Sequence, residues 1–120
     1  MWGRHRKKMR ILIAINENEG IDSKLSEHFG HCPYFAIYDK EKKEIEIVEN
    51  KIEHNNPNIT PVDQVMKFNP DSVFTLGIGG RAIGLFNKKN VDLRTGEYKV
   101  VKEVIENIDN LKKLNSGCEH

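Results

Sequence analysis

The chain has 120 residues, of which 38% are hydrophobic and 31% charged, a composition typical of one globular domain. No apolar run approaches the roughly 18 residues that a membrane span needs, and the run at residues 11–15 is too short for a signal peptide, so we expect neither. The formal net charge of +1 combines a basic segment, residues 1–8 at +4, with residues 9–120 at −3. We expect residues 1–8 to be a disordered leader or an upstream-start extension.

The first half of the chain predicts three strands. Residues 10–15 are almost continuously apolar, which indicates a buried strand. Residues 23–32 are mostly polar and predict an irregular segment. Residues 34–38 and 44–48 predict two further strands, which a charged turn at residues 39–43 joins as a hairpin.

The second half alternates helices with strands. Residues 50–60, rich in Asn, predict a loop, and Thr60 followed by Pro61 predicts a helix start, with the helix running to Phe68. The remaining predicted elements are a strand at 72–76, a helix at about 81–89, a strand at 91–93 and an amphipathic helix at 101–111. This order predicts a single three-layer α/β domain with a mixed five-stranded sheet and flanking helices.

The loops after residues 15 and 76 are the expected ligand site, because ligands of such sheets collect beyond the carboxyl ends of the strands. Two cysteines, Cys32 and Cys118, are too few for a disulfide framework. We therefore expect a reducing, cytoplasmic setting in which both thiols are available as metal ligands.

Residues 26–33 (SEHFGHCP) form the first candidate site. They hold His28, His31 and Cys32, and imidazole and thiolate are ligands that iron–sulfur centres, zinc and copper prefer. His28 and Cys32, four residues apart, are the more plausible ligand pair. The alternative interpretation is a packed loop with a buried cysteine and hydrogen-bonded histidines.

The tail and the Asn-rich loop contain further candidate ligands. Cys118 and His120 near the carboxyl terminus could close a metal site from outside, and His54 is a third possible contributor. The alternatives are a solvated tail and an exposed loop histidine.

The third candidate is the turn Gly77-Ile78-Gly79-Gly80-Arg81-Ala82, between a predicted strand and a predicted helix. Its backbone N–H groups and the positive end of the helix favour the binding of an anion, and Arg81 adds a fixed positive charge there. The turn also fits the loose dinucleotide pattern G-x-G-x-x-A. A close-packed turn without any ligand is the alternative.

The strand at residues 11–15, the stretch SEHFGHCPYF at 26–35 and the turn at 77–82 together resemble the dinitrogenase iron–molybdenum cofactor-binding family. The resemblance spans residues 9–108 and is most specific in the second of these segments. It implies a ribonuclease H-like fold and a small stand-alone member that carries a preformed iron–sulfur or iron–molybdenum-type cluster during cofactor assembly, without catalytic turnover. It also implies that the partners are cluster donor and acceptor proteins.

Site residues follow from the same resemblance. It implies metal ligation by His28 and Cys32, whereas His31, Cys118 and His120 are further candidate ligands from their residue types alone. The cluster's negative edge would be held by Gly77, Gly79, Gly80 and Arg81, with His54 nearby.

We expect the cofactor-binding domain to span residues 9–114 and a flexible tail to span residues 115–120, with no membrane or nucleic-acid partner. Two alternatives stay open. One is an enzyme or sensor that binds a nucleotide or phosphate ligand at residues 77–81, and the other is an interaction module stapled by zinc.

Overall fold

The structure is a computed structural model that describes residues 9–53 and 58–114. It places the first strand of the chain near the centre of one sheet. The elements are strands β1 (Arg10–Ile15), β2 (Tyr34–Asp39), β3 (Glu44–Glu49), β4 (Ser72–Phe74), β5 (Asp92–Thr95) and β6 (Lys112–Lys113), and helices α1 (Pro61–Val65), α2 (Gly80–Lys88) and α3 (Val101–Glu106). Short 3-10 helices cover Gly20–Asp22 and Met66–Phe68.

The sheet is mixed and has the order β3-β2-β1-β4-β5-β6. β1 pairs antiparallel with β2, so that Ile13 lies opposite Ala36, and parallel with β4, so that Ile13 also lies beside Phe74. β2–β3 and β5–β6 are antiparallel pairs, whereas β4–β5 is parallel. The predicted mixed sheet is thereby confirmed, and the ribonuclease H-like assignment stays a prediction.

Both faces of β1 are buried, as its continuous apolar run requires. Leu12 and Ala14 face one core, which α1 and α2 cover. Ile11, Ile13 and Ile15 face a second core, which α3 covers. The helices therefore flank the sheet on both sides, and the domain is the expected three-layer α/β arrangement.

The start of α1 was correctly predicted from its cap. The hydroxyl of Thr60 accepts the N–H of Asp63 at 3.1 Å, and the Asp63 carboxylate accepts the N–H of Thr60 at 3.4 Å. This capping box satisfies N–H groups that the first helical turn leaves unpaired. The segment continues as the 3-10 helix to Phe68 and ends at Asn69, which has a φ of 55°.

The prediction of five strands is wrong, because the described residues form six. The last helix does not reach residue 111: α3 ends at Glu106, where the Asn107 side chain donates to the carbonyl of Glu103 at 2.8 Å. The chain then turns back, and β6 pairs with β5. Two exposed lysines carry no apolar alternation, so the sequence gives no signal for this strand.

The parallel strands bring several loops to one edge of the sheet. β1, β4 and β5 run in the same direction, so the segments after Ile15, Phe74 and Thr95 leave from the same side. β2 is antiparallel to β1 and therefore begins at that side, and β3 is antiparallel to β2 and therefore ends there.

No helix in the described residues is both long and apolar enough to cross a membrane.

Candidate functional site

The histidine-containing loop and the glycine turn touch each other at this edge. The N–H of Phe29 donates to the carbonyl of Gly77 at 3.2 Å. A Cβ added at Gly77 would lie 2.5 Å from the carbonyl oxygen of Glu27, a distance that real side chains do not tolerate. Glycine is therefore required at residue 77 for close backbone approach, and His28 lies between two residues that contact it.

Phe29 anchors this loop from below. Its ring packs against Phe35 of β2, with ring centres 5.6 Å apart, and edge-on against Phe86 of α2 at 5.5 Å. Nearby, the buried hydroxyl of Ser26 accepts the N–H of His28 at 3.1 Å. His28, next to the anchored Phe29, is exposed.

Cys32 is buried in the core, with an exposed fraction of only 3%. Burial raises the pKa of its thiol, and the opposing effect of the N–H groups of Gly30, Ile15 and Cys32 itself and of the Asn50 amide is smaller. Since the thiolate is the form that binds metals, this conformation disfavours ligation by Cys32. For this residue the structure matches the alternative interpretation, a buried cysteine in a packed loop.

His28 and His31 are both exposed, in contrast to Cys32. Within residues 9–53 and 58–114, no three or more His, Cys, Asp or Glu side chains converge as a metal site. The roles of His28, His31 and Cys32 as ligands stay predictions. The candidates His54, Cys118 and His120 lie outside the described residues.

Asn50 is a site residue that sequence reasoning missed. Its side-chain amide donates to the carbonyls of Gly30 at 3.0 Å and Cys32 at 2.7 Å, while its side-chain oxygen accepts the N–H of Ile52 at 2.9 Å. It therefore holds the cysteine end of the loop to the irregular segment that directly follows β3. Several asparagines occupy residues 50–58, and nothing in the sequence distinguishes this one.

The glycine turn leads into an uncapped helix. Thr75 is buried, and its hydroxyl donates to the Gly77 carbonyl at 3.0 Å, which fixes the start of the turn. Gly79 is the N-cap of α2 with φ −72° and ψ 154°, and it offers no side chain to the first helical turn. A Cβ at Gly79 would meet no atom within 4 Å, so this end of α2 faces open space.

The arrangement at this end of α2 suits an anion. The N–H groups of a helix's first turn and the helix dipole together carry partial positive charge. Arg81 is exposed one residue into the helix and adds a full charge. Gly79, Gly80, Arg81 and the adjacent His28 segment thus form an exposed surface beyond the carboxyl ends of the strands, which we call the Gly79 rim.

The fold and this rim define a small α/β domain with an open, anion-attracting edge. The chain belongs to the family described as dinitrogenase iron-molybdenum cofactor, whose model matches residues 9–111. This confirms the resemblance carried by the strand at residues 11–15, the SEHFGHCPYF segment and the glycine turn. The family is of a cofactor-binding or accessory type, which is consistent with a non-enzymatic protein.

Similar proteins of known structure share the whole domain. The crystal structure of PH0822 is 32% identical with a TM-score of 0.72, and the match covers 88% of this chain and 96% of that chain. The apo form of the orange protein from Desulfovibrio gigas has a TM-score of 0.76 at 14% identity, over 93% of this chain and 98% of its own, and so shows the fold alone. An uncharacterised protein of Methanocaldococcus jannaschii is 27% identical over 83% of this chain and 85% of its own length.

Proposed function

We propose that this chain binds a preformed anionic iron–sulfur or iron–molybdenum-type cluster during cofactor assembly and releases it unchanged. The family relates its members to the iron–molybdenum cofactor of dinitrogenase, which supports a role in the binding or biosynthesis of that cofactor. Carriage without turnover is our extension of this role. The partners would then be the proteins that donate and accept the cluster, and the comparisons offer no support for the nucleotide-binding alternative.

The observation that carries the proposal is the contact between the His28 loop and the glycine turn. Glu27 and Phe29 both touch Gly77, so the exposed imidazole of His28 and the uncapped start of α2 belong to one surface. An imidazole can bind iron, while helix N–H groups and Arg81 can compensate the negative charge of the cluster. We assign the first contact with the cluster to these groups.

The accessibility of these groups suits a carrier. A cluster that must be transferred to an acceptor protein is better bound by few ligands at an exposed edge than by a closed four-cysteine site. We assign Cys32 a second, later bond to the cluster, made after the loop that Asn50 holds has opened: the thiol would replace one thiolate ligand of the incoming cluster, which would leave with the thiol proton. Deprotonation of Cys32 would become favourable there, since a bound metal stabilises the thiolate.

The test uses an added cap on α2. The protein is incubated anaerobically with a synthetic thiolate-ligated [4Fe–4S] cluster and desalted, and retained iron and visible absorption are measured. In Gly79→Asp, the carboxylate would accept first-turn N–H groups and repel the cluster, so retained iron should fall several-fold. The same change should stabilise the fold slightly, by about 0.5 kcal/mol, so a fall in retained iron would not be caused by lost folding.

Gly79→Asn is the matched control, since it caps the helix without adding charge. We expect it to stabilise the fold similarly and to lower iron retention less than Gly79→Asp does. His28→Ala should also retain less iron, at unchanged stability. Equal retention by wild type, Gly79→Asp and His28→Ala would show that the cluster does not bind at the Gly79 rim.

A further inference from the structure

A cavity lies on the same face of the sheet as α1. It has a volume of about 380 Å³ and lies between the end of β3 and the segment formed by α1 and the following 3-10 helix. This volume is within the range of roughly 300–1,000 Å³ typical of small-molecule pockets. Neither the glycine turn nor the His28 loop lines it. We call it the α1–β3 groove.

The inner surface of the groove is apolar and includes two aromatic rings. Phe35 is buried beneath it, while Val48, Ile52 and Phe68 are half-buried and line it. Half-buried apolar side chains gain free energy when a ligand removes the rest of their surface from water, at about 25 cal/mol per Å². The groove is therefore suited to the apolar, flat body of an aromatic ligand.

The open side of the groove carries an excess positive charge. Lys51 and Lys67 are both exposed there, and the Lys51 amine is 4.0 Å from the carboxylate of Glu49. Lys67 has no carboxylate within 4.0 Å in the part of the chain that the structure describes. Its amine lies 5.3 Å from the centre of the Phe68 ring, directly beside the apolar surface. One cation next to an apolar groove is complementary to a ligand with one anionic group.

Hydrogen bonds fix the wall of the groove. The side-chain amide of Gln64 on α1 donates to the carbonyl of Glu53 at 2.8 Å and its oxygen accepts the N–H of Glu53 at 2.8 Å. This two-way contact holds Ile52 in place across the groove from Phe68. A pre-formed wall lowers the entropic cost of ligand binding.

We propose that the α1–β3 groove binds a small aryl carboxylate, with its ring on Phe68, Val48 and Ile52 and its carboxylate at Lys67. The site is separate from the one proposed for the cluster and does not depend on it. Because a phospholipid headgroup could offer the same anionic chemistry, the test has to distinguish a free small molecule from a membrane surface.

The experiment is a calorimetric titration of the full chain with 2-naphthoate and, in parallel, with its neutral isostere 2-naphthamide. We expect 2-naphthoate to bind more tightly than the amide. Lys67→Gln should weaken naphthoate binding about two- to fivefold, the range expected for one exposed charge pair, and should leave amide binding unchanged. Lys102→Gln, an exposed lysine on α3, is the matched control and should behave as wild type.

Amide NMR of the labelled protein locates the ligand, with naphthoate shifts expected at Val48, Ile52 and Lys67. The proposal is overturned if naphthoate does not bind, if Lys67→Gln binds it like wild type, or if the shifts fall elsewhere. Sedimentation with phosphatidylglycerol vesicles in the absence of naphthoate binding would also overturn it and would assign the groove to a membrane surface.

Discussion

Gly77 and Gly79 are two residues apart in one turn, yet their surroundings are opposite. The backbone of Gly77 is pressed against Glu27, whereas Gly79 has open space where a side chain would be. The same division extends to the loop beside them, where Cys32 is buried and His28 is exposed. The edge therefore has a closed part that determines structure and an open part that is free to bind.

Substitution of the two glycines gives the largest contrast between these parts. Gly77→Ala should destabilise the fold by about 2–3 kcal/mol, because the new methyl group would force the Glu27 backbone to move. Gly79→Ala should cost less than about 1 kcal/mol, since only the quality of the helix cap changes. Urea unfolding of both variants measures the difference, and equal losses would contradict the division.

Removal of the Asn50 side chain tests the closed part from its other end. Asn50→Ala removes donors to two carbonyls and an acceptor for a third group, so we expect a loss of about 1–2 kcal/mol. Cys32 should then react faster with a thiol reagent, measured in a Cys118→Ser background. Asn87→Ala, an exposed position on α2, should change neither stability nor reactivity.

The elements that sequence predicted well are those with a local physical signal. The apolar run of β1 and the Thr60–Pro61 cap each specify their element through nearby residues, and both occur in the structure. β6 could not be predicted, because Lys112 and Lys113 become a strand only through pairing with β5. Its existence depends on where α3 ends, which packing and the Asn107 side chain decide.

The candidate site shows the same limit. Sequence identified both loops and correctly expected them at one edge, since strand direction alone determines that. It left open whether Cys32 is a ligand or a buried residue of a packed loop, and it did not reveal that Asn50 holds that loop. Cys32 is buried in the core that Phe29, Phe35 and Phe86 help to form, and Phe86 is distant from the other two in the chain.

The ionisation of Cys32 should have a smaller effect on the free energy of unfolding. Its pKa is raised by burial above the ordinary 9.0, so above that pH the unfolded chain loses a proton that the folded chain keeps. Stability therefore falls as pH rises through this window, by less than about 1.4 kcal/mol over the first pH unit. The difference in unfolding free energy between Cys118→Ser and the double variant Cys118→Ser/Cys32→Ala should narrow from pH 8.5 to about pH 10. A constant difference would mean that Cys32 ionises normally and is not enclosed.

The smallest effect on stability should come from Arg81, in the open part. Its side chain is exposed and has no ion-pair partner among the described residues, so Arg81→Ala should change the unfolding free energy by no more than about 0.5 kcal/mol. Iron retention should nevertheless fall, because the charge beside the start of α2 is lost. Lys88→Ala removes the same charge from the far end of the helix and should retain iron like wild type. If both variants lost iron equally, net charge alone would attract the cluster, and the open part of the edge would have no specific role in holding it.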